Sequence, residues 1–171
     1  MGGHVHHQRS DAEEQIAQLL QRARRKLGLS VAFMSRIDET ARTMQVVESD
    51  LPGIEDGYTG PRDSGFCLAV VEQRLPRVIP DVRDVPPAML LHPEDLPQIR
   101  GHISVPVVLS DGAVYGTFCA FGLVSDPEVS DHDLAVMEVL GEATAMVIEP
   151  QVRLEQRRAE IADRLAPVLT S

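Results

Sequence analysis

The stretch His102–Gly122, HISVPVVLSDGAVYGTFCAFG, decides the fold. It contains two runs of alternating β-branched and aromatic residues, HISVPVVLS and AVYGTFCAFG, joined through SDGA. An Asp-Gly pair between such runs is the strongest short-range hairpin signal, because a tight hairpin turn needs residues that accept positive φ. The two runs are therefore expected to form the central strands of an antiparallel sheet.

Working upstream, Ser10 followed by Glu13 makes a capping box, and Ile16, Leu19, Leu20, Ala23 and Leu27 recur at helical spacing until Gly28. LSVAFMSRID and TMQVVES, separated by a polar turn, read as a second hairpin. A Gly-, Asp- and Pro-rich loop over 50–62 leads to DSGFCLAV, where Asp63 or Ser64 is expected to cap a short helix reaching Arg74. RVIPDV predicts a short strand that Pro80 confines to an edge or an ending. Residues 84–99 hold four prolines among Met89, Leu90 and Leu91, which is too apolar for a solvated loop and too broken for a long helix. Such a segment is expected to wall a cavity.

Downstream of the hairpin, Ser130 caps a helix predicted from about Asp131 to Glu149, with Pro150 expected to kink or restart it. Leu140, Val147, Leu154, Ile161 and Val168 continue an apolar line at seven-residue spacing into the C-terminal segment. With no domain left to cover that line, it predicts a homodimer contact or a connector to an adjoining domain. The order of helices and strands implies an α+β fold with an antiparallel sheet.

The 171 residues suit one domain with terminal extensions, and 43% hydrophobic with 25% charged content is that of a globular chain. No apolar run approaches the roughly 18 residues of a membrane span, so no membrane role is expected. A net charge of −10 repels phosphate backbones, which argues against nucleic acid as a partner. The N-terminus lacks the apolar stretch of a secretory signal, so a cytoplasmic location with Cys67 and Cys119 as thiols is expected.

The combination of DSGFC, VIPDV, QIRGHISVPV, SDGAVYGTFCAFG and the SDHD helix start resembles the GAF domain over about residues 12 to 149. The resemblance implies a profilin-like antiparallel sheet, with N- and C-terminal helices on one face and a small-molecule pocket on the other. It divides the chain into a disordered tail (1–10), a sensor domain (11–149) and a helical connector (150–171). The tail RRAEIADRLAPVL is similar to the lead into EAL-type cyclic-di-GMP phosphodiesterase domains, which implies such an output domain as a partner.

On that resemblance, Phe33, Phe66, Met89, Leu90, Ile99 and Phe118 are expected to line an apolar ligand cavity, with Cys67, Asp81, His102 and Ser104 as its polar groups. Strand alternation leaves open which face Phe118 and Cys119 each take. No cofactor is named by the sequence. His102 has the chemistry of a heme ligand, and Cys67 at a helix start has an environment that favours a reactive thiolate. Three functions are therefore carried forward: a non-enzymatic ligand sensor, a redox or heme sensor using Cys67, Cys119 or His102, and a thiol-dependent methionine sulfoxide reductase. Neither cysteine is followed by the histidine usual in bilin-binding members, since Leu68 and Ala120 stand there. The Asn-Lys-Phe-Asp-Glu motif of cyclic-nucleotide members is missing.

Overall fold

The computed structural model describes residues 8–125 and 129–170. The elements are α1 (Asp11–Leu27), β1 (Val31–Ile37), β2 (Ala41–Ser49), β3 (Tyr58–Pro61), α2 (Cys67–Val71), β4 (Val78–Ile79), α3 (Pro86–Leu91), β5 (Gly101–Val108), β6 (Val114–Gly122) and α4 (Asp131–Leu169). A 3₁₀ turn at Val82–Asp84 links β4 to α3. All strands join one antiparallel sheet in the order β3-β2-β1-β6-β5-β4.

Both hairpins form as expected. In the β1–β2 turn, Asp38 Oδ1 accepts from the backbone N–H groups of Thr40 and Ala41, at 2.8 and 2.9 Å. Between β5 and β6, Gly112 takes φ 86° in the turn. β4 is an edge of only two residues and pairs with His102 and Ile103, so at Pro106 the outer side of β5 is unpaired and the missing N–H costs no ladder bond.

Strand alternation sends neighbouring residues to opposite faces, and each face has its own apolar core. On one face Met34, Ile103, Val105, Phe118 and Ala120 meet Ile16 and Leu20 of α1 and Met137, Ala145 and Ile148 of α4. A Cβ at Gly141 would stand 2.9 Å from Val105 Cγ2, so this glycine lets α4 close onto β5. On the other face Phe33, Met44, Cys119 and Phe121 lie under α2, α3 and the segment between α3 and β5.

The N-terminal helix follows its sequence signals. Ser10 Oγ accepts from the Glu13 N–H at 3.2 Å, and Gly28, at φ 65°, donates its N–H to the Arg24 carbonyl at 2.9 Å. Of the expected disordered tail, residues 1–7 lie outside the described residues, but Arg9 is anchored. Its guanidinium bonds Asp56 at 2.7 Å, Glu48 at 3.0 Å and the Val47 carbonyl at 2.8 Å.

Three expectations change. α2 starts at Cys67 with Phe66 as its N-cap and no side-chain cap bond, because Gly65 at φ 82° turns the chain after Ser64. β3 lies within the stretch read as loop. α4 runs unbroken through Pro150 to Leu169. Pro150 lacks the N–H that would bond the Met146 carbonyl, and Met146 is 78% exposed, on a side where water can supply the bond. From Arg153 onward every described residue of α4 is exposed. Among the described residues, no helix is long and apolar enough to cross a membrane.

Candidate functional site

The face opposite α1 and α4 carries polar side chains that a plain apolar core would not need. Ser35, Thr117, Cys119, Ser104 and His102 occupy inward positions on β1, β6 and β5, all of them almost fully buried. The Ser35 and Thr117 hydroxyls are 2.7 Å apart, the Thr117 N–H donates to Ser35 Oγ at 3.1 Å, and the Cys119 S–H donates to Thr117 Oγ1 at 2.9 Å. Cys67, at the start of α2, lies buried on the same face, near enough to Cys119 for the two thiols to shift each other's titration.

The two thiols titrate in opposite directions. The neighbouring Cys119, and then the Arg42 charge with the Thr117 and Ser35 hydroxyls, lower the pKa of Cys67 against the opposing effect of burial. Burial, and then Cys67 itself, push Cys119 well above the ordinary thiol value. Cys67 is therefore the more acidic of the two thiols.

Arg42 is the group that sequence reading passed over. It is 2% exposed, and its Nε–H donates to the Ser64 carbonyl at 3.0 Å. Two glycines make room for it: a Cβ at Gly60 would stand 3.2 Å from Nη2, and one at Gly65 would stand 3.4 Å from Cζ. Among the described residues, no carboxylate forms an ion pair with it. A guanidinium cannot shed its proton in a protein, so this is a permanently charged group inside the fold.

Beside it is a cavity of about 20 Å³, lined by Arg42, Phe33, Met44, Phe66, Cys67 and His102, with Pro93, Leu96 and Ile99 along one wall. That is room for about one water molecule. The His102 ring meets Phe66 edge-on at 5.0 Å, and its Nδ1 has no hydrogen-bond partner. Burial alone holds its pKa down at about 3, so the imidazole is neutral. Ser104 Oγ lies near enough to Cys119 to ease its ionisation, yet makes no hydrogen bond of ordinary geometry. The α3–β5 wall is stapled by His92, whose Nε2 accepts from the Ile99 N–H at 2.9 Å and whose Nδ1–H donates to the Pro93 carbonyl at 2.8 Å.

Of the residues expected in the pocket, Phe33, Phe66, Cys67, Ile99 and His102 do line this cavity, and Ser104 shares its face. Four do not. Phe118 packs toward the helices, because its neighbour Cys119 takes the pocket side of β6. Met89 and Leu90 are 43% and 89% exposed, since α3 buries Ala88 instead. Asp81 is held by Arg83 and Arg100, each at 2.9 Å, and caps the 3₁₀ turn through the Arg83 N–H at 3.0 Å. Those bonds, Arg83 first and then Arg100, keep its carboxyl far below the usual range, and they leave it serving the turn.

The chain matches the GAF domain family over residues 10–149, most of its length. It belongs to the GAF domain family. As a fold, this GAF domain is similar to the free methionine-R-sulfoxide reductase of Neisseria meningitidis, with TM-score 0.66 and 17% identity over 84% of this chain and 81% of that one. It is similar to the GAF domain of an Acinetobacter phosphoenolpyruvate-protein phosphotransferase, with TM-score 0.64 and 12% identity over 81% and 91%. It is also similar to the GAF-B domain of DevS from Mycobacterium smegmatis, with TM-score 0.61 and 14% identity over 87% and 99%. No curated protein matches it in sequence. The residues present do not fit a heme: the space beside the His102 ring is about 20 Å³, with Phe66 packed against it.

Proposed function

We propose that this GAF domain is a non-enzymatic, cytosolic sensor that binds a small molecule on the α2–α3 face and reports it through α4. The observation that carries the reading is the division of labour along β5 and β6. His102 and Phe121 line the cavity, with Cys119 on the same face, while Ile103, Val105 and Phe118 beside them support α1 and α4. A ligand that shifts those strands alters the bed on which α4 rests, and signalling needs only that bound and free forms differ in that packing. The output is a partner or adjoining domain at the end of α4, and the resemblance of the tail supports one of the EAL type.

Native mass spectrometry of the protein purified from its own host, together with an absorption spectrum, tests this reading. A retained small mass without a visible band is expected. A visible band would replace it with a heme or bilin sensor, and an empty protein with a module that only dimerises.

One observation favours a second reading. Cys67 and Cys119 are buried on the same face, near enough to shift each other's titration, and Cys67 is drawn toward the thiolate form that a thiol reductase or redox sensor requires. In a sulfoxide reduction the two thiols would give up two electrons and close to a disulfide, the oxygen would leave as water, and an external dithiol would reset the pair. Turnover lost on replacing both cysteines by serine would favour the reductase. Turnover absent from the unmodified protein excludes it.

A further inference from the structure

We infer that the cavity against Arg42 receives a small aliphatic monocarboxylate, with the carboxylate on the Arg42 guanidinium and the alkyl group against Phe33, Phe66 and Met44. This rests on the reading of that face as a ligand site, and adds the chemical class of the ligand.

The first ground is charge. Arg42 is 2% exposed and carries no carboxylate partner among the described residues, while Gly60 and Gly65 leave the space that its head group occupies. A fold that builds a berth for an uncompensated buried cation has a use for a counter-charge there. A water can satisfy N–H groups but supplies no charge. The planar guanidinium fork matches a carboxylate, whose two oxygens accept in parallel.

The second ground is the pair of buried polar atoms left without partners on the same face, His102 Nδ1 and Ser104 Oγ. Buried polar groups are nearly always paired, so each orphan marks a group that something else completes. His102 lines the same cavity as Arg42. The third ground is the apolar remainder: beyond Arg42, Cys67 and His102, the wall is hydrocarbon and aromatic ring, which suits an alkyl chain and excludes a sugar or nucleotide.

At about 20 Å³ the cavity admits such a ligand only if a wall moves. Binding requires the wall Pro93–Ile99 to open, which in this structure is fastened inside by the two His92 bonds and outside by the bond from the Tyr58 hydroxyl to the Asp95 carboxylate.

The test is calorimetric titration of the intact chain with propionate, isobutyrate and isovalerate, and with their primary amides, at constant ionic strength. At least one carboxylate should bind at least tenfold more tightly than its amide. Arg42→Gln should abolish that preference, and Arg42→Lys, which keeps the charge but loses the fork, should weaken it. If Arg42→Gln fails to fold, the Lys variant and the acid-to-amide ratio carry the test. Amides that bind as well as acids overturn the charge assignment and leave the ligand site standing. Carboxylate binding untouched by Arg42→Gln also overturns it. If no acid binds while the native protein retains some other mass, the inference fails and the sensor reading survives. If no acid binds and no mass is retained, both fail.

Discussion

His102 gives the fold a sensitivity to mild acid that traces to one side chain. Burial lowers its pKa from 6.5 to about 3, so protonation favours the unfolded chain, where the imidazole is free to charge. The stability conferred by the neutral ring is complete above pH 6.5 and is lost as pH falls toward 3. Between pH 7 and pH 5 this amounts to about 2 kcal/mol. We expect the His102 ring signals not to titrate between pH 5 and 8 by NMR, while the urea midpoint falls across the same interval. A ring that titrates near pH 6.5 would show that the cation is accommodated inside the fold. Residues of this kind were legible in part. His102, Cys67 and Phe66 stood out because their types are unusual where they lie. Arg42 did not, since it falls at the end of the polar turn read between the first two strands, where an arginine is taken as solvent-facing. The bulge between Met44 and Val46, opposite Met34 and Ser35, makes both the Met44 and Val46 positions inward on their respective faces, a change of phase that no local sequence signal announces.

At the level of elements, β1 and β6 come unusually close at Gly116. A Cβ there would stand 1.8 Å from the Ser35 carbonyl oxygen, so the two central strands must part if any side chain is added. Gly112, in the neighbouring turn, has φ 86° but nothing within 4 Å of its Cβ position. Gly112→Ala is therefore expected to cost about 1 kcal/mol through backbone strain alone. Gly116→Ala should cost more than about 3 kcal/mol or prevent folding, because main-chain atoms cannot move aside singly. Equal losses in chemical denaturation would show that the sheet relaxes at Gly116. The hairpins, α1 and the start of α4 were readable because periodicity, caps and turn residues agree there. The short elements were not: β3 spans four residues, one of them Gly60, and α2 has five held by tertiary contacts rather than by a cap. Pro150 misled for a related reason. A proline removes one hydrogen bond, and packing of the flanking turns, with Ile148 and Val152 both buried, maintains the helix across it.

For the whole molecule, the open question of association lies in the exposed half of α4. Leu154, Ile161 and Val168 repeat at seven residues, with Leu165 between the last two, and they are 50%, 47%, 66% and 47% exposed in that order of naming. A seven-residue apolar repeat on a helix is self-complementary, so a second copy of the same helix is the occupant it fits best. Ile161→Glu should convert a dimer into a monomer in sedimentation equilibrium while leaving the thermal midpoint of the domain almost unchanged. A monomer before mutation would reserve the stripe for an output domain.

The continuity of α4 also has a mechanical consequence. The helix rests on the sheet up to Val152, and the exposed part from Arg153 to Leu169 extends for about 25 Å at 1.5 Å per residue. Because no break at Pro150 absorbs rotation, this part moves with the seated part as one lever. A tilt of about 10° at the sheet displaces the tip by about 4 Å, a whole side-chain contact, so a disturbance too small to reshape the pocket is magnified to molecular size at the far end.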